Sequence, residues 1–161
     1  MANSRSKKGQ AAVETVLAVL LVSFVFVVLF QLSRALTGKI MLEHAAMRVA
    51  RARAVGFNDF MCLKSARVAV IPVAGERLWP DEKDFGEARE LARIRTYMES
   101  PDEARARGLL EYEGWRRMTV DAGDGGMSFV RMTGEWFPLT GGSFSLEGKA
   151  GIEDGCSYYL E

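Results

Sequence analysis

The stretch from Lys7 to Leu36, KKGQAAVETVLAVLLVSFVFVVLFQLSRAL, constrains this chain more than any other. A short basic patch leads into Gly9-Gln10, then one carboxylate, Glu14, and then an apolar run from Thr15 to Leu32 broken only by Ser23 and Gln31. The run is roughly 18 residues, the lower end of what crosses a bilayer core as a helix. Neither Pro nor Gly interrupts Gln10 to Thr37, so nothing local stops a continuous helix. Three familiar uses of such a segment fit in part. A signal peptide would share the basic flank, but Ser33-Arg34-Ala35 is a poor cleavage site and the run is long. A lipoprotein would need a Cys at the end of the run, and the first Cys is Cys62. A plain signal anchor fits length and charge and leaves Glu14 and the Gly9-Gln10 junction without a role.

A fourth reading uses all of these residues. Lys7-Lys8-Gly9, then Gln10-Ala11-Ala12-Val13-Glu14, then the apolar run, resembles the leader of type IV pilin-like precursors. The following Ser33-Arg34-Ala35-Leu36, Glu43-His44-Ala45-Ala46 and Arg48-Val49-Ala50-Arg51 resemble the TadE-like minor pilins of tight-adherence pili, so that the resemblance spans roughly residues 7–56. It implies that a prepilin peptidase cuts between Gly9 and Gln10 on the cytoplasmic side while the apolar helix stays on the mature chain. It also implies that Glu14, the fifth mature residue, pairs with the free amine of Gln10 in a neighbouring subunit during assembly. A carboxylate at bilayer-centre depth costs about 2.5–3.5 kcal/mol on insertion scales, which gives such pairing a physical motive. The bland alternative for Glu14 is a headgroup-level carboxylate at the positive end of the helix dipole. Flanking charges favour a cytoplasmic N-terminus only narrowly; the resemblance implies that orientation, with the bulk of the chain outside the inner membrane. It further implies, as partners, other pilin subunits, an inner-membrane assembly platform and the lipid bilayer.

Acids and bases number 21 each, and loss of residues 1–9 removes Arg5, Lys7 and Lys8, taking the bases from 21 to 18 and leaving three net negative charges. A balance of that sign argues against a nucleic-acid partner. Cys62 and Cys156 belong to no metal-ligand pattern, and the only histidine is His44. In an exported domain an even pair favours a Cys62–Cys156 disulfide; two separate thiols or a link between subunits are the alternatives. Asp121-Ala122-Gly123-Asp124-Gly125-Gly126 lacks the ligand spacing of a calcium loop and reads as a hairpin turn. No phosphate loop, triad or spaced carboxylate pair occurs, so no catalytic, cofactor-binding or metal site is expected, and the chain is expected not to be an enzyme.

The chain divides into a leader, 1–9, expected to be unstructured; the membrane half of helix one, 10–36; its outer half, 37–56; and a head, 57–161. In the outer half, Met41, Leu42, Ala45, Val49 and Ala52 share a face at helical spacing, with His44, Arg48 and Arg51 on another, and Gly56 is placed to stop the helix. Phe57 to Lys64 reads as a connection. Arg67-Val68-Ala69-Val70-Ile71 reads as a strand, Ala74-Gly75 and Trp79-Pro80-Asp81 as loops. A helical insert, 84–113, reads as one helix from Asp84 to Glu99 with Phe85, Ala88, Leu91, Ala92 and Met98 apolar. A second helix, capped by Ser100 with Pro101 and Glu103 behind it, then runs to Glu113-Gly114. Trp115–Asp121, Met127–Phe137 and Ser143–Ile152 read as antiparallel strands, and Cys156–Leu160 as a short last one. Trp79, Trp115, Trp136, Tyr158 and Tyr159 read as core. The expected fold is α+β: a long N-terminal helix packed on a C-terminal antiparallel sheet, pilin-like, with a helical insert. The expected function is that of a minor pilin or pseudopilin, minor because of its size. The alternative from a different class is a single-pass anchored protein whose outer domain binds a ligand or envelope partner.

Overall fold

A computed structural model describes residues 3–80, 87–122, 126–137 and 142–151. Helix α1, Asn3–Ala54, is 52 residues long, about 80 Å at 1.5 Å per residue. It begins before Gly9, so the leader expected to be unstructured is helical from Asn3 onward. It runs unbroken through Thr37-Gly38, where the Thr37 hydroxyl donates to the Ser33 carbonyl at 2.9 Å. It ends as the sequence implies. Gly56 takes a φ of +87°, its N–H donates to the Arg53 carbonyl at 2.8 Å, and the Phe57 N–H donates to the Ala52 carbonyl at 3.0 Å. Those two bonds close a Schellman motif, which satisfies carbonyls the helix leaves open.

The chain then turns back as α2, Asp59–Ala69, where a strand was expected over Arg67–Ile71. The Asn58 side chain accepts from the Met61 N–H at 2.8 Å, and Asp59 favours the positive helix start. Buried Cys62, Ala66, Ala69 and Val70 recur at helical spacing against α1. That burial outweighs the strand preference of the β-branched residues. Ile71–Val73 continues as one 3₁₀ turn. Strand β1, Arg77–Trp79, falls partly where a loop was expected and pairs antiparallel with β2, Glu111–Tyr112.

The insert is shorter than expected. Helix α3, Glu87–Glu99, turns Glu90, Ile94 and Tyr97 toward the protein; of the expected apolar positions Met98 packs on the core, while Ala88, Leu91 and Ala92 are exposed. Phe85 lies outside the described residues. Helix α4 is only Glu103–Arg107, and its cap is Asp102, which accepts from the Arg105 N–H at 2.7 Å. Ser100 instead donates to the Tyr97 carbonyl at 2.7 Å, at the end of α3. Glu113–Arg117, expected to close a helix and open a strand, is a 3₁₀ segment.

A three-stranded meander follows: β3, Met118–Ala122; β4, Met127–Phe137; and β5, Gly142–Gly151, in the order β3-β4-β5. Met118 pairs with Met132, and Val130 with Gly148. Residues two apart on the inner face, Ser128, Val130 and Met132 on β4 and Gly148 and Ala150 on β5, are buried against α1. Leu146 packs on the same core, whereas Phe144 at the strand's start is half-exposed. The α+β architecture with a long helix on an antiparallel sheet is the one the sequence implies. The expected last strand, Cys156–Leu160, lies outside the described residues.

Candidate assembly site

Two stretches of α1 have opposite surroundings. From Gln10 to Phe30 every side chain is exposed, with Leu21 at 65%, Phe24 at 66% and Phe26 at 68%. From Gln31 onward a buried seam begins: Gln31, Ala35, Gly38, Leu42, Ala45, Val49 and Ala52. Alternate steps of four and three keep that seam on one side of a helix. It lies along β4, β5 and α2. Gly148 of β5 meets the helix backbone there; a Cβ at that position would lie 2.1 Å from the Leu42 carbonyl carbon. Arg53 fastens the far end of the helix, donating at 3.0 Å both to the Asp121 carbonyl and to the Ser128 hydroxyl.

Of the residues singled out for processing and assembly, Gln10 and Glu14 lie in the exposed stretch. Gly9 and Gln10 are consecutive in α1, and Glu14 is one turn further on the same face as Gln10. Glu14 is exposed, flanked by exposed Val13, Val16 and Leu17. Thr15 gives its hydroxyl to the Ala11 carbonyl at 2.9 Å, so its polar group is satisfied within the helix. From Gln10 to Ala54 the helix is long and apolar enough to cross a membrane. His44 is exposed on the polar side of the outer half, as its spacing implies.

Cys62 is elsewhere, buried under the helix end with its Sγ 3.8 Å from the Phe57 carbonyl. Burial pushes its thiol up, and Arg53 opposes that. Cys156 lies outside the described residues. Trp115 is core as expected, while Trp79 is half-exposed, its indole N–H donating to the Gly108 carbonyl at 2.7 Å. The Trp136 side chain, Tyr158 and Tyr159 are not among those described.

Sequence reading missed a polar cluster inside the head. Lys64 on α2 is fully buried, donating to the Met98 carbonyl at 2.7 Å and the Ser100 carbonyl at 2.8 Å, with the Phe60 ring 4.8 Å from its Nζ. A cation at the C-terminal end of α3 satisfies open carbonyls and the helix dipole together. Burial pulls the lysine's pKa down. One turn on, Arg67 reaches the Tyr97 hydroxyl at 3.5 Å, Glu103 at 3.5 Å and the Trp115 ring at 6.0 Å. The Trp115 ring lies 5.2 Å from Tyr97 and 5.0 Å from Tyr112, and the Tyr112 hydroxyl donates to Glu90 at 2.6 Å. Burial raises the pKa of both tyrosines, with Glu90 adding to it at Tyr112. Phe60 and Lys64 at i,i+4, followed by Arg67, form the only trace of this cluster in the sequence.

The decisive comparison falls on the exposed stretch and the seam together. Residues 9–51 match the family model of the TadE-like protein. The TadE-like segment is about a quarter of the chain and associates it with tight-adherence pilus systems. It starts at Gly9, contains Gln10 and Glu14, and stops three residues short of the end of α1. No curated protein and no solved structure matches the chain. The head from α2 onward, including Cys62 and the Lys64–Trp115 cluster, therefore lies beyond the TadE-like segment.

Proposed function

We propose that this chain is a minor pilin or pseudopilin of a tight-adherence pilus or related secretion filament. The observation that carries the reading is the coincidence of the TadE-like segment with one helix that is bare and apolar in its first half and sheet-packed in its second. A helix apolar on all sides is stable where lipid or other apolar helices surround it. The head stays attached to the other half of the same rod, so drawing the helix from bilayer to bundle would carry the head with it. In this reading a prepilin peptidase cuts between Gly9 and Gln10. The N-terminus is cytoplasmic before cleavage and the head is outside. Glu14 is neutralised by the Gln10 amine of an adjacent subunit. The inner-membrane assembly platform and other pilin subunits are the partners, and the chain's work is packing rather than catalysis.

The test is the N-terminal sequence and intact mass of membrane-extracted protein made with and without its prepilin peptidase. A chain starting at Gln10 only when the peptidase is present supports the reading. A chain that keeps residues 1–9 in both cases overturns it in favour of an uncleaved anchor. A start near Leu36 overturns the membrane role of α1 altogether.

A further inference from the structure

Among the described residues, two buried donors in the head have no acceptor: the Nε of Arg67 and the indole Nε1 of Trp115. Trp115 is only 3% exposed, so its N–H depends on whatever occupies the space beside it. An uncompensated buried donor is costly, so a pair of them in one place calls for an acceptor. Both residues line the same cleft, about 500 Å³, between α2, α4 and the 3₁₀ segment that leads into β3. Arg107 and Arg116 stand on its walls, and Leu110 and Met118 supply apolar lining.

The charges around the cleft define the acceptor further. Arg116 is paired with Glu111 at 2.8 Å, Arg107 with Glu103 at 2.8 Å, and Arg67 with the same Glu103 at 3.5 Å. Three guanidinium groups thus face two carboxylates, an excess of one positive charge. A singly charged oxyanion closes that balance; a dianion overshoots it. Apolar lining beside the donors favours a carboxylate on a hydrocarbon or aromatic carrier over a bare inorganic ion. We propose that this cleft is a binding site for a monovalent carboxylate carried on an apolar group, with Trp115 Nε1 and Arg67 Nε as the two donors to its oxygens. Arg–carboxylate recognition of this kind is charge-assisted and directional. The cleft's chemistry is independent of the assembly reading, and it belongs to the part of the chain outside the TadE-like segment.

The test uses the full chain, ¹⁵N-labelled, in detergent micelles, read by its indole N–H resonances. The Trp115 signal is identified by its loss in Trp115→Phe, and the probes are benzoate, a doubly blocked peptide whose single charge is one glutamate, and inorganic phosphate. A saturable benzoate shift of the Trp115 signal is expected, with a Kd on the order of millimolar for one such contact. In Trp115→Phe, followed at the Arg67 Nε–H, benzoate should bind roughly tenfold more weakly because one charge-assisted bond is gone. Arg116→Gln, on the rim and outside the core, weakens it by a smaller factor and guards against a folding defect in the first variant. Peptide binding at least as tight as benzoate identifies a protein side chain as the source of the carboxylate; benzoate binding alone identifies a small molecule. Phosphate binding more tightly than both overturns the carboxylate assignment. Shifts that grow linearly and equally at every indole mean that water satisfies these donors, and overturn the site.

Discussion

The two halves of α1 are one helix under two solvents. Both are rich in Ala, Val and Leu, and both lack any break in backbone bonding. From Gln10 to Phe30 no face is preferred, because every side chain is exposed and nearly all are apolar. In the half after Phe30, burial repeats in steps of four and three, and small residues occupy the seam where a sheet presses on the helix. Periodicity therefore reports how many kinds of surroundings a helix has: one kind of solvent on all sides leaves no period, two leave a stripe. The second half is built for a partner within the chain, and the first packs against none of the described residues.

The comparison is broken most directly at Gly148. A side chain there would drive its Cβ into the carbonyl region of Leu42, and backbone has no rotamer by which to yield. Gly148→Val is expected to cost at least about 3 kcal/mol, the upper end of overpacking effects, and to separate β5 from the seam. Near-UV circular dichroism and limited proteolysis of the micelle-bound chain would show a loosened head. An equally small enlargement in the bare half, Ala18→Val, should leave the same melt where it was.

The same contrast explains what the sequence revealed. The seam from Leu42 to Ala52 and its stop at Gly56 were legible because a period and a left-handed glycine are both local signals; its start at Gln31, Ala35 and Gly38 was hidden in the apolar run and its flank. Strands β4 and β5 were legible because their apolar alternation is bounded by glycines. Helix α2 was hidden: Val68, Val70, Ile71 and Pro72 read as a strand and its end, while Asn58 as a cap and Cys62, Ala66 and Ala69 as a stripe carried the stronger physical claim. The inner face of α3 was hidden for another reason. Glu90 is turned inward and held by the Tyr112 hydroxyl, whereas Leu91, at 62% exposure, is turned outward. The Lys64 cluster left almost no trace, because its acceptors are backbone carbonyls 34 and 36 residues away. The candidate assembly residues are read from a motif, and Gln10 and Glu14 lie in the bare stretch of the helix.

Lys64 offers the next largest effect, confined to the head. In Lys64→Met the Met98 and Ser100 carbonyls lose their donor, and relief of the buried charge offsets only part of the loss. A net cost of about 2 kcal/mol is expected at neutral pH, concentrated in α3 as faster amide exchange. Its pH dependence has a definite sign. The folded pKa lies below the ordinary lysine value of 10.5, so between the two the unfolded chain holds more protons than the folded one. Stability of the parent protein should thus rise with pH toward 10.5, and that contribution is lost as pH falls through the folded value. The variant should lack this rise, and the gap between the two melts should widen from neutral pH upward. Above about 10 the buried tyrosines act in the opposite direction, since their raised folded pKa values favour the unfolded chain as it ionises.

Arg53 joins the end of the seam to the β3–β4 hairpin through two bonds, one of them to the fully buried Ser128. Arg53→Gln is expected to lower head stability by about 1 kcal/mol, a few degrees in a thermal melt. The effect should be smaller than at Lys64, because water reaches part of the site.

Glu14→Ala should move head stability least of all and filament entry most. Glu14 touches none of the seam, and surface substitutions of that kind stay within about 0.5 kcal/mol. The head should therefore melt as in the parent, and membrane extraction should recover the same amount of chain. Co-fractionation with other pilin subunits, by contrast, should fall to background, because the proposed pairing of this carboxylate with a neighbour's Gln10 amine is then lost. Glu14→Asp, one methylene shorter, should restore part of it. If Glu14→Ala fractionates with those subunits as the parent does, the bare half of α1 is an anchor only, and the difference between the halves is one of solvent without assembly.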